Sequence, residues 1–289
     1  MSFTVFTDGV SNLPGTLLNG LDIHVLPCSY MIDDKPVSYS GDIDHFDAKA
    51  HYDLLREGHR MSTTLINSQT FLDHFRPAAE QGQDIVYVGM SAGISGTFQA
   101  ACMAADELTE EFPDRKICTV DSMGAGFGTG LLACTAADLR NEGKTAEEAK
   151  EILEQKRMNL CEYFTVGSLE YLRRSGRISA AVAALGTVLN IKPLLYGDST
   201  GHIVSCEKCR GRSRVLDAIV NRYRAKAVDP EHCRVAITHT DCPEEAQALA
   251  DRITEIAKPK ELYICPHEPF TGSHVGPDTL ALFFFGESR

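Results

Sequence analysis

Residues 84–127 constrain the fold more than any other stretch. They read "DIVYVGM", "SAGISG", "TFQAACMAADELTEEF", a turn, "KICTVDS" and "MGAGF". A short β-branched run bounded by Ser and Gly predicts a buried strand, and the Ala-rich amphipathic run after it predicts a helix. Strands of this continuous apolar kind, alternating with helices, imply a largely parallel sheet covered on both faces. The fold class is therefore α/β.

The same texture extends to both ends. "FTVFTDG" predicts a strand ending in a turn, and "DIHVLPCSYMID" and "KPVSYS" predict two more around Asp33-Asp34-Lys35. "FDAKAHYDLLREG" is helical, and "MSTTLINSQTFLDHFRPAAEQG" begins as a hydroxyl-rich loop before turning helical. Later come a long apolar stretch, "AAVAALGTVLNIKPLLYG", then "GHIVSCEKCRGRSRVLDAIVNRYRAKA" as a strand and a basic helix. "CRVAITHTD" through "ELYICP" reads as one more strand–helix–strand unit, and "HVGPDTLALFFFG" is strongly β-prone. A change of texture near residue 160 divides the 289 residues into two domains, 1–160 and 161–289.

Composition removes several classes of function. The net charge of −12 argues against a broad nucleic-acid groove. No apolar run reaches the roughly 18 residues of a spanning helix. "MSFTVFTDG" has neither a basic n-region nor a cleavage site. Ten cysteines without a secretory signal suggest reduced thiols and a cytoplasmic protein.

Hydroxyl groups gather where strands end. Thr7-Asp8, Ser91 to Thr97 and Asp121-Ser122 fall at strand ends, and Thr63 and Thr64 precede a helix. Ligands of open α/β sheets sit beyond the carboxyl ends of the strands, and a helix N-terminus with Ser or Thr donors suits a carboxylate or phosphate. Capping alone accounts for any single loop of this kind. Several together point to a small anion site without a metal.

Sharper motifs fail. Gly93-Ile94-Ser95-Gly96-Thr97 lacks the last glycine of a nucleophile elbow, and Gly124, Gly126, Gly128 and Gly130 never take dinucleotide spacing. Cys206 and Cys209 form a C-x-x-C pair without the second pair that zinc requires; a redox role would want the pair at a helix N-terminus after a strand, and two incidental thiols are the plainer reading. His239 closes a strand and is a ligand-facing residue or, as we favour, a boundary histidine, whereas His274 is flanked by glycines in "TGSHVGP" and Arg177 follows one in "RRSGRIS", where the backbone can approach a ligand. An arginine is a permanent cation suited to a carboxylate or phosphate.

Taken together, "SAGISGTFQAA", "TVDSMGAGFGTG", "FTVGSLEYLRRSGRIS", "LGTVLNIKPLL" and "TGSHVGPDTLALFFFG" resemble the DegV family of fatty-acid-binding proteins, in order and spacing. The resemblance implies two α/β domains, a mainly parallel sheet in the N-terminal one, and a ligand tunnel between the domains. It implies one long-chain fatty acid as ligand, no cofactor, and catalysis in a separate ATP-dependent fatty acid kinase subunit that feeds phospholipid synthesis. Carried over by position, the carboxylate-binding residues are Thr63, Ser95, Arg177 and His274. Thr64, Gly96, Thr97, Asp121 and Ser122 are secondary candidates near the head group. The chain departs from the family pattern in three places: Gly9 stands for a serine, Thr63-Thr64-Leu65-Ile66-Asn67 stands for Thr-Ser-Gln-Pro-Ser, and Asp278 stands for a glycine.

The apolar bore would draw on "AAVAALGTVLNIKPLL", Phe164, Phe270 and Met90, and "KCRGRSR" (Arg210, Arg212, Arg214) is a candidate docking patch for the partner. Two other readings stay open. One is a stand-alone serine esterase or acyltransferase using Ser95 with Asp121 and His239 or His274. The other is a binder of a different amphiphilic anion.

Overall fold

The computed structural model describes residues 2–187 and 190–289. In chain order the elements are β1 (Phe3–Asp8), α1 (Gly15–Gly20), β2 (Ile23–Leu26), β3 (Cys28–Ile32), β4 (Lys35–Tyr39), α2 (Ala48–Arg56), β5 (Met61–Thr63) and α3 (Ser68–Glu80). Then come β6 (Asp84–Gly89), α4 (Thr97–Glu111), β7 (Ile117–Asp121), α5 (Phe127–Asn141) and α6 (Ala146–Lys156). The rest is β8 (Leu160–Thr165), α7 (Glu170–Arg174), α8 (Ala180–Ala183), β9 (Ile191–Gly197), β10 (Ile203–Arg210) and α9 (Arg212–Lys226). It ends with β11 (Arg234–His239), α10 (Pro243–Ile256), β12 (Glu261–Pro266), α11 (Pro269–Val275) and β13 (Leu280–Phe285).

The chain divides into two compact units. The first comprises Met1–Phe46 and Ser62–Met158, the second Asp47–Met61 and Asn159–Arg289. A single boundary near residue 160 does not describe this division, because α2 packs with the later residues. Its buried face is His51, Tyr52 and Leu55, and Tyr52 donates its hydroxyl to the carbonyl of His267, 2.7 Å away. Amphipathic spacing says that a helix has a buried face, not what covers it.

The first unit is built on a four-stranded sheet in the order β2-β1-β6-β7, parallel throughout. Every residue of β1 and β6 is buried, as a parallel sheet with both faces covered requires. "DIHVLPCSYMID" is two strands rather than one. Pro27 lies between β2 and β3, and β3 pairs antiparallel with β4. Asp33 and Asp34, both at positive φ, make the two-residue turn that joins them. Gly130 of α5 serves packing, since a Cβ there would collide with the carbonyl of Ser11, and Gly126 has a φ of +54° that favours glycine.

The second unit has a six-stranded mixed sheet, β10-β9-β8-β13-β11-β12. Only β11 and β12 run parallel, across the crossover helix α10, as the strand–helix–strand pattern predicted. The last strand, β13, enters between β8 and β11. One face of the sheet packs α9 and α10 through Val215, Ile219, Tyr223, Leu249 and Ile253. The other packs α7, α8 and α11 through Leu169, Leu172, Val182 and Val275. Adjacent Leu194 and Leu195 of β9 serve opposite faces, as strand geometry demands.

Candidate functional site

In the first unit the site begins where β6 stops. Ser91 is buried, and its carbonyl accepts the amides of Ile94 and Ser95. This turn delivers Ser95 two residues ahead of α4. The Ser95 hydroxyl donates to Thr97 Oγ1 at 3.1 Å and accepts from the Thr97 amide at 3.3 Å. Gly96 is exposed and Thr97 is buried. A half-buried hydroxyl thus stands at the positive end of a 15-residue helix, a place suited to an anion.

The threonine loop adjoins it. A Cβ built at Gly96 would lie 3.6 Å from Leu65. Thr63 ends β5 and is half-buried. Thr64 spends its hydroxyl on the carbonyl of Ser29, 2.9 Å away. Thr64 is thereby committed to holding the loop on β3.

Asp121 and Ser122 are committed in a similar way. The Asp121 carboxylate accepts the amides of Met123 at 2.8 Å and Ala92 at 3.3 Å, tying two loops together. Ser122 is fully buried, with its hydroxyl bonded to Thr129 at 3.0 Å. Asp8 is also buried, and its Oδ2 accepts from the Tyr87 hydroxyl at 2.8 Å and the Met90 amide at 3.2 Å. Burial pushes the Asp8 carboxyl up to about 6. Tyr87 lies outside every sequence motif. Only its place in a buried strand hinted that its hydroxyl needs a partner.

In the second unit Arg177 and His274 are neighbours. Arg177 follows α7 and donates to the carbonyl of Ser175, and burial lowers its pKa. It has no ion-pair partner among the described residues, so it presents an uncompensated positive charge. Burial, with the charge of Arg177 added to it, pushes His274 down to about 4. At neutral pH the imidazole is therefore uncharged, and Arg177 alone supplies the positive charge. "TGSHVGP" is a helix followed by a turn, not a strand. His274 sits in the last turn of α11, which Glu268 caps by accepting the amides of Phe270 and Thr271.

A concavity of about 250 Å³ opens in this unit between Leu169, Ala183, Gly186, Ile191, Lys192 and Pro193. Ala183, Gly186, Ile191, Lys192 and Pro193 belong to the stretch assigned to the bore, while the rest of the lining lies between Val166 and Arg173 and includes the charged Glu170 and Arg173. Phe164 and Leu185 pack against the core of Val166, Leu169, Leu172, Val182, Leu195 and Val275, Phe270 is buried with its ring edge-on to His274, and Met90 is buried in the first unit. Val188 and Leu189 of the same stretch lie outside the described residues.

The remaining candidates separate cleanly. Arg212 is held by Glu245 at 2.6 Å, while Arg210 and Arg214 are exposed. Cys206 and Cys209 lie within β10, not at a helix N-terminus, and both are free. Burial raises both thiols, Cys209 to about 11, the opposite of what a reactive thiol needs. His239 accepts from the Cys242 amide at 3.3 Å and so closes its strand locally. Among the described residues no group of three His, Cys, Asp or Glu side chains could hold a metal ion, and no helix is long and apolar enough to cross a membrane.

The family profile of DegV proteins matches residues 2–287. The chain belongs to the DegV family. A DegV domain-containing protein of Clostridium perfringens is 38% identical over 288 residues, which is 99% of this chain and 98% of that one. The solved structure of a fatty-acid-binding DegV protein from Thermus thermophilus aligns with a TM-score of 0.88 at 28% identity, covering 99% of this chain and 100% of that one. DegV of Bacillus subtilis, also a fatty acid binding protein, aligns at 0.83 with 24% identity over 99% of this chain and 100% of its own, and shows the shared fold.

Proposed function

We propose that this protein binds one long-chain fatty acid and presents its carboxylate, held by Ser95 and Thr63, to a separate ATP-dependent kinase subunit in the cytoplasm. The observation that carries the reading is the end-to-end likeness to the Thermus thermophilus protein, which binds fatty acid. The half-buried Ser95 hydroxyl at the head of α4 supports it. The acyl phosphate formed by the partner is then passed to phospholipid synthesis. Arg177 and His274 serve the charge of the head group, one as a cation and the other as a neutral hydrogen-bonding partner.

Tail and head have separate tasks. Burying a methylene is worth about 0.8 kcal/mol, so some fifteen of them contribute on the order of 12 kcal/mol before association costs. Hydrogen bonds to a charged group add roughly 1.5–3 kcal/mol each. The tail therefore supplies most of the affinity, and the hydroxyls fix where the carboxylate sits. Neutral donors also leave the carboxylate nucleophilic, which a tight lysine pair would not. The esterase reading draws no support from Ser95, whose hydroxyl is bonded to Thr97 rather than to an imidazole.

Ser95→Ala tests the division. It is expected to lose kinase-dependent phosphorylation of bound oleate at least roughly tenfold while oleate affinity falls by no more than about fivefold. Equal loss of both would refute it.

A further inference from the structure

The turn behind His274 is held in a conformation that its sequence does not favour. After α11 the chain passes through Gly276 and Pro277 to Asp278, whose φ is +61°, before entering β13. At the exit of β11, Asp241 has φ +62°. L-residues adopt this left-handed region at a cost, and glycine adopts it freely. The two turns are laced together. The Asp278 amide donates to the Thr240 carbonyl at 2.9 Å. The Thr240 hydroxyl donates to the Gly276 carbonyl at 2.7 Å and accepts from the Thr279 amide at 2.6 Å.

One side chain spans both strained positions. Arg56, the last residue of α2, places Nη2 2.9 Å from Asp278 Oδ1 and bonds through Nη1 to Asp241. Asp53, one turn earlier on α2, accepts from the same Nη1 at 3.1 Å. Helix α2 also grips α11 directly. A Cβ at Gly272 would collide with the Tyr52 hydroxyl. Ser273 Oγ lies 3.3 Å from His51 Nε2. Tyr171 completes the arrangement: its ring fills the space that a Cβ at Gly276 would need, and its hydroxyl donates to the Leu55 carbonyl of α2 at 3.3 Å. Tyr171 belongs to α7, which leads into Arg177.

Accepting the head-group role of His274, we infer that Arg56 is a positioning residue, which fixes the left-handed Asp278 turn and through it the orientation of His274 at the end of α11. Helix α2 is thereby the clamp for the charged half of the site, reaching α11 through Tyr52 and α7 through Tyr171. The Arg56 guanidinium is taken up by Asp53, Asp241 and Asp278.

The test uses the full-length protein with oleate as probe, and follows the His274 imidazole by NMR in the ligand-free protein from about pH 8 to 4.5. In the wild type His274 stays mostly neutral to the lower end of that range. Arg56→Ala is expected to admit water to the ring and move the midpoint to about 5 or above, and to weaken oleate about three- to tenfold. Arg56→Lys recovers part of both effects. In an Asp278→Gly background, where the turn needs no counter-ion, the same Arg56→Ala change has less than half its effect. Should Arg56→Ala lose its cooperative unfolding transition, Arg56→Gln takes its place. An unchanged midpoint and unchanged affinity, or an undiminished effect in the Asp278→Gly background, overturns the inference. If the wild type binds no oleate, the proposed function fails, and the midpoint alone still decides the role of Arg56.

Discussion

The two units place their candidate side chains by opposite means. In the first, Ser95 is fixed by bonds that close within a single loop, from the Ser91 carbonyl to the Thr97 amide. In the second, the helix carrying His274 is fixed by residues far away in sequence: Tyr52 is 215 residues from His267, and His51 and Arg56 are each 222 from Ser273 and Asp278. A neutral donor at a helix head needs only a turn and a cap. A buried imidazole beside a cation needs surroundings that hold it against solvation, and those come from a helix that the chain borrows from its first third.

That contrast is broken or sharpened first at the glycines. Gly276→Ala adds strain at φ +77° to a clash with the Tyr171 ring, and Gly272→Ala meets the Tyr52 hydroxyl. Each is expected to cost roughly 2–4 kcal/mol in urea unfolding. Gly96→Ala, with Leu65 no nearer than 3.6 Å, is expected to cost less than about 0.5 kcal/mol. Comparable losses at all three would remove the distinction between a locally and a distantly built site.

A smaller effect comes from pH, with opposite signs in the two units. Burial raises the Asp8 carboxyl from 3.8 to about 6, so the folded state holds a proton that the unfolded chain has released. Stability from this group falls as pH rises from about 4 to 6, by about 3 kcal/mol for a shift of roughly two pKa units. In the second unit burial lowers His51 and His274 to about 4 and His267 to about 3. Their neutral forms favour the fold above the unfolded value of 6.5, and that contribution is lost as pH falls toward about 4. Hydrogen exchange resolved by segment is expected to show the first unit gaining and the second losing protection on acidification from about pH 6.5 to 4.5. Asp8→Asn keeps an acceptor for Tyr87 and Met90 and should abolish the first slope. A slope that survives the substitution would contradict this assignment.

The local features were the legible ones. The α/β class, the parallel first sheet, the turn at Ser95 and the strand–helix–strand unit at β11 to β12 each depend on short runs of chain, where periodicity and turn chemistry act. What was hidden depends on partners. The sequence spacing of α2 shows an apolar face but not that α11 covers it. The β-prone "HVGPDTLALFFFG" masks a helix end, because the Glu268 cap that starts α11 lies several residues upstream. Pro27 splits a run that alternation alone reads as continuous. Asp278 is unexpected for its left-handed turn until Arg56 is seen beside it.

Native mass spectrometry of the protein as purified, and again after incubation with oleate, tests the central claim most directly. The account predicts one fatty acid per chain, either carried from the cell or taken up on incubation. A chain that emerges empty and stays empty under both conditions would contradict it.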